Sequence, residues 1–225
     1  MTVSVPGPAP GPSAPGLRER KKRRTRDALV RVALELFTTQ GYERTTVDEI
    51  VDAVEVSQRT FFRYFSSKEE VAFAVQRTVE EEFVRALVRR PPEEGPFDAM
   101  RGAVLAAWDG VGETIDRVVP VELYLRTFFM IESTPALLAA HLRRSSEMEE
   151  TIARVVARRE GLDVDTDPRP RIAVAAFSGV MRVTAQMWGK GTDRSLAGIR
   201  ALTERYLDHL GPALSLHWRE PGARR

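Results

Sequence analysis

The sequence has no cysteine and only three histidines, His141, His209 and His217. The first absence removes disulfide frameworks, thiolate metal sites and cysteine nucleophiles in one step, and suits a reducing compartment. The histidines stand in no metal-like spacing, and neither a Gly-rich phosphate loop nor a nucleophile elbow accompanies them. With no convergent acid, base and nucleophile, an enzyme is not expected, nor a metal or other cofactor. Long hydrophobic runs are missing too. No stretch approaches the roughly 18 consecutive apolar residues of a membrane span, and the N-terminus lacks the apolar core of a secretory signal. The expected address is the cytoplasm, with no membrane partner. Strand-like alternation and internal repeats are also missing, which leaves helical periodicity as the organising signal.

Charge is absent from residues 1–16, "MTVSVPGPAPGPSAPG", which carry five prolines and three glycines. Such a segment cannot bury enough apolar surface to offset chain ordering, and a disordered leader is expected there. Charge then becomes dense. Residues 17–68 carry 12 Lys and Arg against 8 Asp and Glu, whereas residues 69–225 carry 22 against 24. Eight of the basic residues fall between Arg18 and Arg31 in "LRERKKRRTRDALVR". That density fits two readings, a solvated helix start or an arm that reaches phosphates or a minor groove.

From about Thr25, Leu29, Val32, Ala33, Leu36 and Phe37 follow a helical stripe that Gly41 ends. In "TTVDEIVDAV", Thr46 with Glu49 three residues on forms a capping box for a second helix of about two turns. Ser57 can cap a third through Phe65, and Ser67 with Glu70 opens a fourth that Val71, Val75, Val79, Phe83 and Leu87 carry to about Arg89. Five further helical segments follow, separated by Pro- and Gly-containing breaks. The expectation is an all-α chain of about nine helices.

The third segment, "VSQRTFFRYFSSKEE", is both aromatic and basic. In a helix, Phe61 and Phe65 share one face and Gln58, Arg59, Phe62 and Arg63 share another. A solvated face would accept the polar residues but explains Phe62 poorly. Together with the Thr-capped helix before it and the Lys-Glu-Glu helix start after it, this segment resembles the DNA-binding head of TetR-family transcriptional regulators over about Arg24 to Glu70. The resemblance implies a three-helix head with a helix-turn-helix at 17–67. In it, Thr46 caps the second helix at a phosphate, and Ser57, Gln58, Arg59, Thr60, Phe62 and Arg63 present the third helix to the major groove. Tyr64 and Lys68 grip the flanking backbone. Guanine suits Arg, adenine suits Gln, and a thymine methyl suits an aromatic edge. The family turn usually has Gly where this chain has Glu55, and a positive φ there would cost a non-glycine residue about 1 kcal/mol.

The resemblance further implies a helical domain at 68–214 that dimerises and encloses a ligand pocket, followed by a flexible tail at 215–225. Small residues at helical spacing, Ala173, Ala176, Gly179 and Val183, and the stripe Leu196, Ile199, Leu202, Tyr206 and Leu210, suit a homodimer face. Aromatics and methionines line adaptable cavities, which makes Phe97, Met100, Trp108, Tyr124, Phe128, Met148, Phe177 and Met181 pocket candidates, with Trp188 beside them. His141 and Arg126 are candidate polar handles. The function so implied is a ligand-responsive repressor. It would bind a palindromic operator in double-stranded DNA as a homodimer and leave it when a small apolar or amphipathic effector binds. A helical adaptor that binds only protein is the competing reading, and salt-dependent DNA affinity separates the two.

Overall fold

The computed structural model describes residues 16–214. Of the expected leader only Gly16 falls among them, and the expected tail at 215–225 lies outside the described residues. These residues form eleven helices and no strand. They are α1 (Leu17–Gln40), α2 (Val47–Val54), α3 (Gln58–Tyr64), α4 (Lys68–Ala72), α5 (Ala74–Val88), α6 (Pro96–Asp116), α7 (Val121–Ser133), α8 (Pro135–Glu160), α9 (Arg169–Lys190), α10 (Leu196–Asp208) and α11 (Leu210–Leu214). The all-helical expectation holds. The count exceeds nine because two expected helices are each divided, one at Phe73 and one at His209.

The first helix starts at Leu17, eight residues before the apolar stripe begins at Thr25. No Gly or Pro interrupts 17–40, and Arg, Lys and Glu are good helix formers, so the backbone stays helical where nothing packs on it. Its buried side is Leu29, Val30, Ala33, Leu34 and Phe37, and it ends at Gly41 with φ 97°. The expected capping box closes α2: Thr46 Oγ1 accepts from the Glu49 N–H at 3.2 Å, and the Glu49 carboxylate accepts from the Thr46 N–H at 2.7 Å.

At its other end α2 stops in a Schellman turn. Glu55 is left-handed at φ 57° and ψ 45°; its N–H donates to the Asp52 carbonyl at 3.1 Å, and the Val56 N–H donates to the Val51 carbonyl at 3.0 Å. Among the described residues Glu55 is the one non-glycine residue with positive φ. The two hydrogen bonds of the turn hold that conformation between α2 and α3.

The long fourth helix does not run unbroken. Phe73 sits between α4 and α5 at φ −96° and ψ 4°, outside the α basin. Val71 to Val75 are all buried. A straight helix turns a new face outward at each residue, so five buried positions in a row need neighbours on every side. The break meets that need, with α4 packed under α1 and α5 departing along α6 and α8. The fully buried Phe73 ring stacks on His141 of α8 at 6.4 Å, and the Arg144 guanidinium lies over it at 5.0 Å.

One apolar core joins α1 to α5 with the end of α6 (Val111, Ile115), α7 (Leu123, Ile131) and the start of α8 (Leu137, Ala140). A second joins Leu87, Met100, Val104, Ile152, Val156, Val174, Phe177 and Leu207, and Trp108 packs against both. The head is thus seated on the remainder through continuous core. Replacing Glu55 by Gly relieves the left-handed strain and is expected to raise unfolding stability by up to about 1 kcal/mol. The check is a higher denaturant midpoint at an unchanged m-value.

Candidate nucleic-acid interface and adjoining cavity

Helix α3 is only seven residues long, and its aromatic residues split as their spacing dictates. Phe61 and Phe65 are 0% and 2% exposed, while Phe62 is 53% exposed. Phe61 holds Phe62 edge-on at 5.3 Å and Phe65 at 5.8 Å. Ser57 caps the helix, its Oγ accepting from the Thr60 N–H at 3.2 Å and lying 3.1 Å from Thr60 Oγ1. Gln58, Arg59, Phe62 and Arg63 are exposed. Arg63 lies over the Tyr64 ring at 5.0 Å, and Gln58 donates to Asp48, joining the starts of α2 and α3.

Two expected backbone contacts are otherwise engaged. The Thr46 hydroxyl donates to Glu49 Oε2 at 3.0 Å and accepts from the Glu49 N–H, so its capping role is internal although it remains exposed. Lys68 turns inward. Its ammonium donates to the carbonyls of Tyr42 at 2.8 Å, Thr45 at 3.1 Å and Glu43 at 3.4 Å, and lies 4.4 Å from the Tyr42 ring centroid. Those contacts occupy all three donors of an ammonium, so Lys68 pins the α1–α2 turn instead of standing free for the expected grip on DNA backbone. The buried Phe37 and Tyr42 rings, edge to face at 5.1 Å, complete that corner.

Beyond the head, a cavity of about 360 Å³ opens between α5, α6, α7, α8 and α9. Of the expected pocket residues, Trp108, Tyr124, Phe128, His141, Met148, Phe177 and Met181 line it, as does Trp188. Two do not. Met100 is fully buried in the second core, and Phe97 lies at a separate small pocket with Arg101 and Leu214. Both share the stripe of Trp108, yet they lie two and three turns earlier, where α6 packs on other helices. Arg126 is exposed and absent from the lining.

The cavity wall has a polar strip that the sequence did not reveal. Gln76 Nε2 donates to Glu80 Oε1 at 2.9 Å and lies 3.2 Å from His141 Nδ1; Glu80 Oε2 is 3.6 Å from Arg144. Burial pushes the Glu80 carboxyl above its usual range, against the pull of Arg144 and the Gln76 amide. Burial also pushes Tyr124 up to about 12, with Glu80 adding to it, so its hydroxyl stays neutral. His141 is pushed down, first by burial and then by Arg144, against Glu132. The indole N–H of Trp108 is buried with no acceptor among the described residues.

Known proteins share the sequence pattern and the fold. Residues 29–75 match the family of bacterial regulatory proteins named for tetR, and residues 94–215 match the MftR C-terminal domain. Over 221 residues, 98% of each chain, the sequence is 48% identical to the HTH-type transcriptional regulator TcmR of Streptomyces glaucescens. The chain belongs to the TetR family. It is 27% identical over 95 residues to the HTH-type transcriptional repressor NicS of Pseudomonas putida, which covers 42% of this chain and 45% of NicS. A solved structure from Pseudomonas aeruginosa PAO1, described as a transcriptional regulator, shares the fold with a TM-score of 0.54 at 18% identity, over 90% of this chain and 95% of that one. As a member of this family the protein is a transcriptional regulator and not an enzyme. No described helix is long and apolar enough to cross a membrane.

In this TetR-family chain the polar strip was missed because Gln76, Glu80 and Arg144 read as ordinary solvated positions of long helices. The available signal was Glu80 and His141 flanking apolar stripes, and it does not separate cavity from surface. Lys68→Met is expected to cost about 2 to 3 kcal/mol of stability, since it removes a charged donor from three carbonyls. The salt dependence of DNA binding should stay unchanged, and a fall in its slope would restore Lys68 to the phosphate-contacting set.

Proposed function

We propose that the protein is a ligand-responsive repressor that binds a palindromic operator as a homodimer. In this reading residues 17–67 hold the DNA and residues 68–214 hold the effector and the partner subunit. The observation that carries the DNA reading is the outward face of α3. Arg59 makes no hydrogen bond or ion pair within the described residues, and an exposed Phe62 stands beside it over a fully buried Phe61. Arginine on such a face pairs bidentately with guanine and Phe62 packs on a thymine methyl. Gln58, Thr60 and Ser57 lie at its leading end, Tyr64 at its trailing end, and Thr46 at the edge that Gln58 and Asp48 tie to α3. NicS is named a repressor, and blocking a promoter requires only binding.

Dimerisation draws support from α9, where Ile172 and Met187 are 64% and 47% exposed, with Val183 between them at 48%. With Ala176 and Gly179 they form an apolar stripe at coiled-coil-like spacing, and a side chain added at Gly179 would meet only the tip of Arg182 at 4.0 Å. A two-fold dimer built there matches two half-sites with fixed spacing.

The effector reading rests on the cavity and on Phe73. Phe128, Trp188, Phe83 and Phe177 supply apolar wall, the last two stacked at 5.9 Å. The polar strip reaches the helix break, since His141 touches Gln76 inside the cavity and stacks on Phe73 behind it. A ligand that fits one setting of His141 therefore biases the angle between α4 and α5, and so the spacing of the two α3 helices. An unpartnered Trp108 N–H favours a ligand with a hydrogen-bond acceptor on an apolar or amphipathic body.

Selection of bound duplexes from a random pool tests the DNA reading and yields the operator; no enrichment at any salt concentration refutes it. Arg63→Ala is then expected to cost about 1 to 3 kcal/mol and to relax preference at one position of each half-site. With an effector found by loss of operator binding across a panel of lipophilic compounds, Trp108→Phe should weaken that effector by about 1 to 3 kcal/mol. It should leave operator affinity in the absence of effector as it was, which titration of labelled operator checks.

A further inference from the structure

The first two turns of α1 place no side chain in the core. Every residue from Leu17 to Arg24 is exposed, and the first fully buried side chain is Leu29. The family match begins at that same residue, so this extension lies outside the common head. Between Leu17 and Asp27 it carries seven basic side chains and two acidic ones, while the formal charge of the whole chain is only +2. The rest of the protein is therefore net negative, and the positive charge is concentrated on one rod.

Its setting is unfavourable for an isolated helix. Like charges three and four residues apart repel, and cations in the first turns oppose the positive end of the helix dipole. Gly16 offers no side-chain cap. An acidic surface would reverse all of these terms. The rod also enters the head beside the reading helix, since the Arg26 guanidinium lies 5.5 Å from the centroid of Phe65, the residue that closes α3. The acidic residues of the rod are Glu19 in its first turn and Asp27, 3.8 Å from Arg26, at its base.

We propose that residues 17–26 form a second DNA contact, in which Arg18, Lys21, Lys22, Arg23 and Arg24 bind sugar-phosphate backbone next to the base pairs read by α3. The proposal rests on the DNA reading above. Residues 17–28 span about 18 Å as a helix, and that length of duplex carries about ten phosphate charges. The contact is electrostatic and carries no base preference. It lengthens the footprint beyond what α3 alone requires.

The test compares the full chain with R18Q/K21Q/K22Q/R23Q/R24Q on a duplex enriched by the unaltered chain, both with its flanks and trimmed to the selected bases. On the long duplex the variant should bind at least about tenfold more weakly at 0.15 M salt, with a salt slope lower by about two per subunit. The order of preference among single-base changes should not alter. On the trimmed duplex the two proteins should converge. The charge-conserving R18K/R23K/R24K should retain the slope. Thermal midpoint is measured alongside; because the five side chains lie outside the core, it should hold or rise. Equal affinity and slope on the long duplex overturn the extension while leaving α3 as the reader. A changed base preference overturns the backbone assignment in favour of groove readout. Failure of the unaltered chain to enrich any duplex overturns the DNA reading itself.

Discussion

Burial of Phe61 and Phe65 is the constraint on which the outward face of α3 depends. A helix of seven residues cannot pay its own nucleation cost in water, so α3 has no independent stability. Its direction comes from two aromatic rings fixed in the core that α1 supplies. Everything on the opposite side, Phe62 and the arginines included, is positioned as a consequence. Ser57 and the Schellman turn at Glu55 close the two ends of the approach, so the connection from α2 to α3 needs only three residues.

The same core runs on without a seam. Ile50 and Phe61 belong to one apolar cluster with Ile115, Leu123 and Leu137, so the head cannot tilt as a body loosely tethered to the remainder. Movement must instead be distributed through packed helices that have discrete alternative settings. Phe73 is the break between two of those helices. It is buried, lies outside the α basin, and separates a helix that packs under α1 from one that walls the cavity. An unbroken rod would transmit a push along its length, whereas a joint converts a local push into a change of angle.

Helices and their caps were legible in the sequence because each rests on local chemistry: the Thr46–Glu49 box, Ser57, Ser67 and the glycines. The split of inward and outward aromatics on α3 was legible for the same reason, since a spacing of four fixes the shared face. What local pattern could not supply was the partner of a long side chain. Lys68 reads as a surface cation at a helix start, and only the return of the α1–α2 turn brings three carbonyls to it. The break at Phe73 was hidden because Val71 and Val75 keep helical spacing across it. Along α8, Leu138 and His141 face the cavity while Leu137 and Ala140 face the core, a shift of one residue that periodicity does not resolve.

The cavity and the head are therefore coupled by position rather than by distance along the chain. Its polar strip is made of groups that burial keeps close to neutral, Tyr124 and His141, or that stay paired, Glu80 with Arg144. A neutral strip can exchange hydrogen bonds with a ligand at little electrostatic cost, whereas a buried free charge would commit the site to one counter-ion. His141 belongs to that strip on one side and to the Phe73 stack on the other. In the proposed function, a ligand that moves it works against the packing of Phe73, and DNA that fixes the spacing of the two heads bears on the same residue. Under that proposal the two equilibria share one element, and linkage then requires each to change the other by the same free energy, commonly about 1 to 3 kcal/mol.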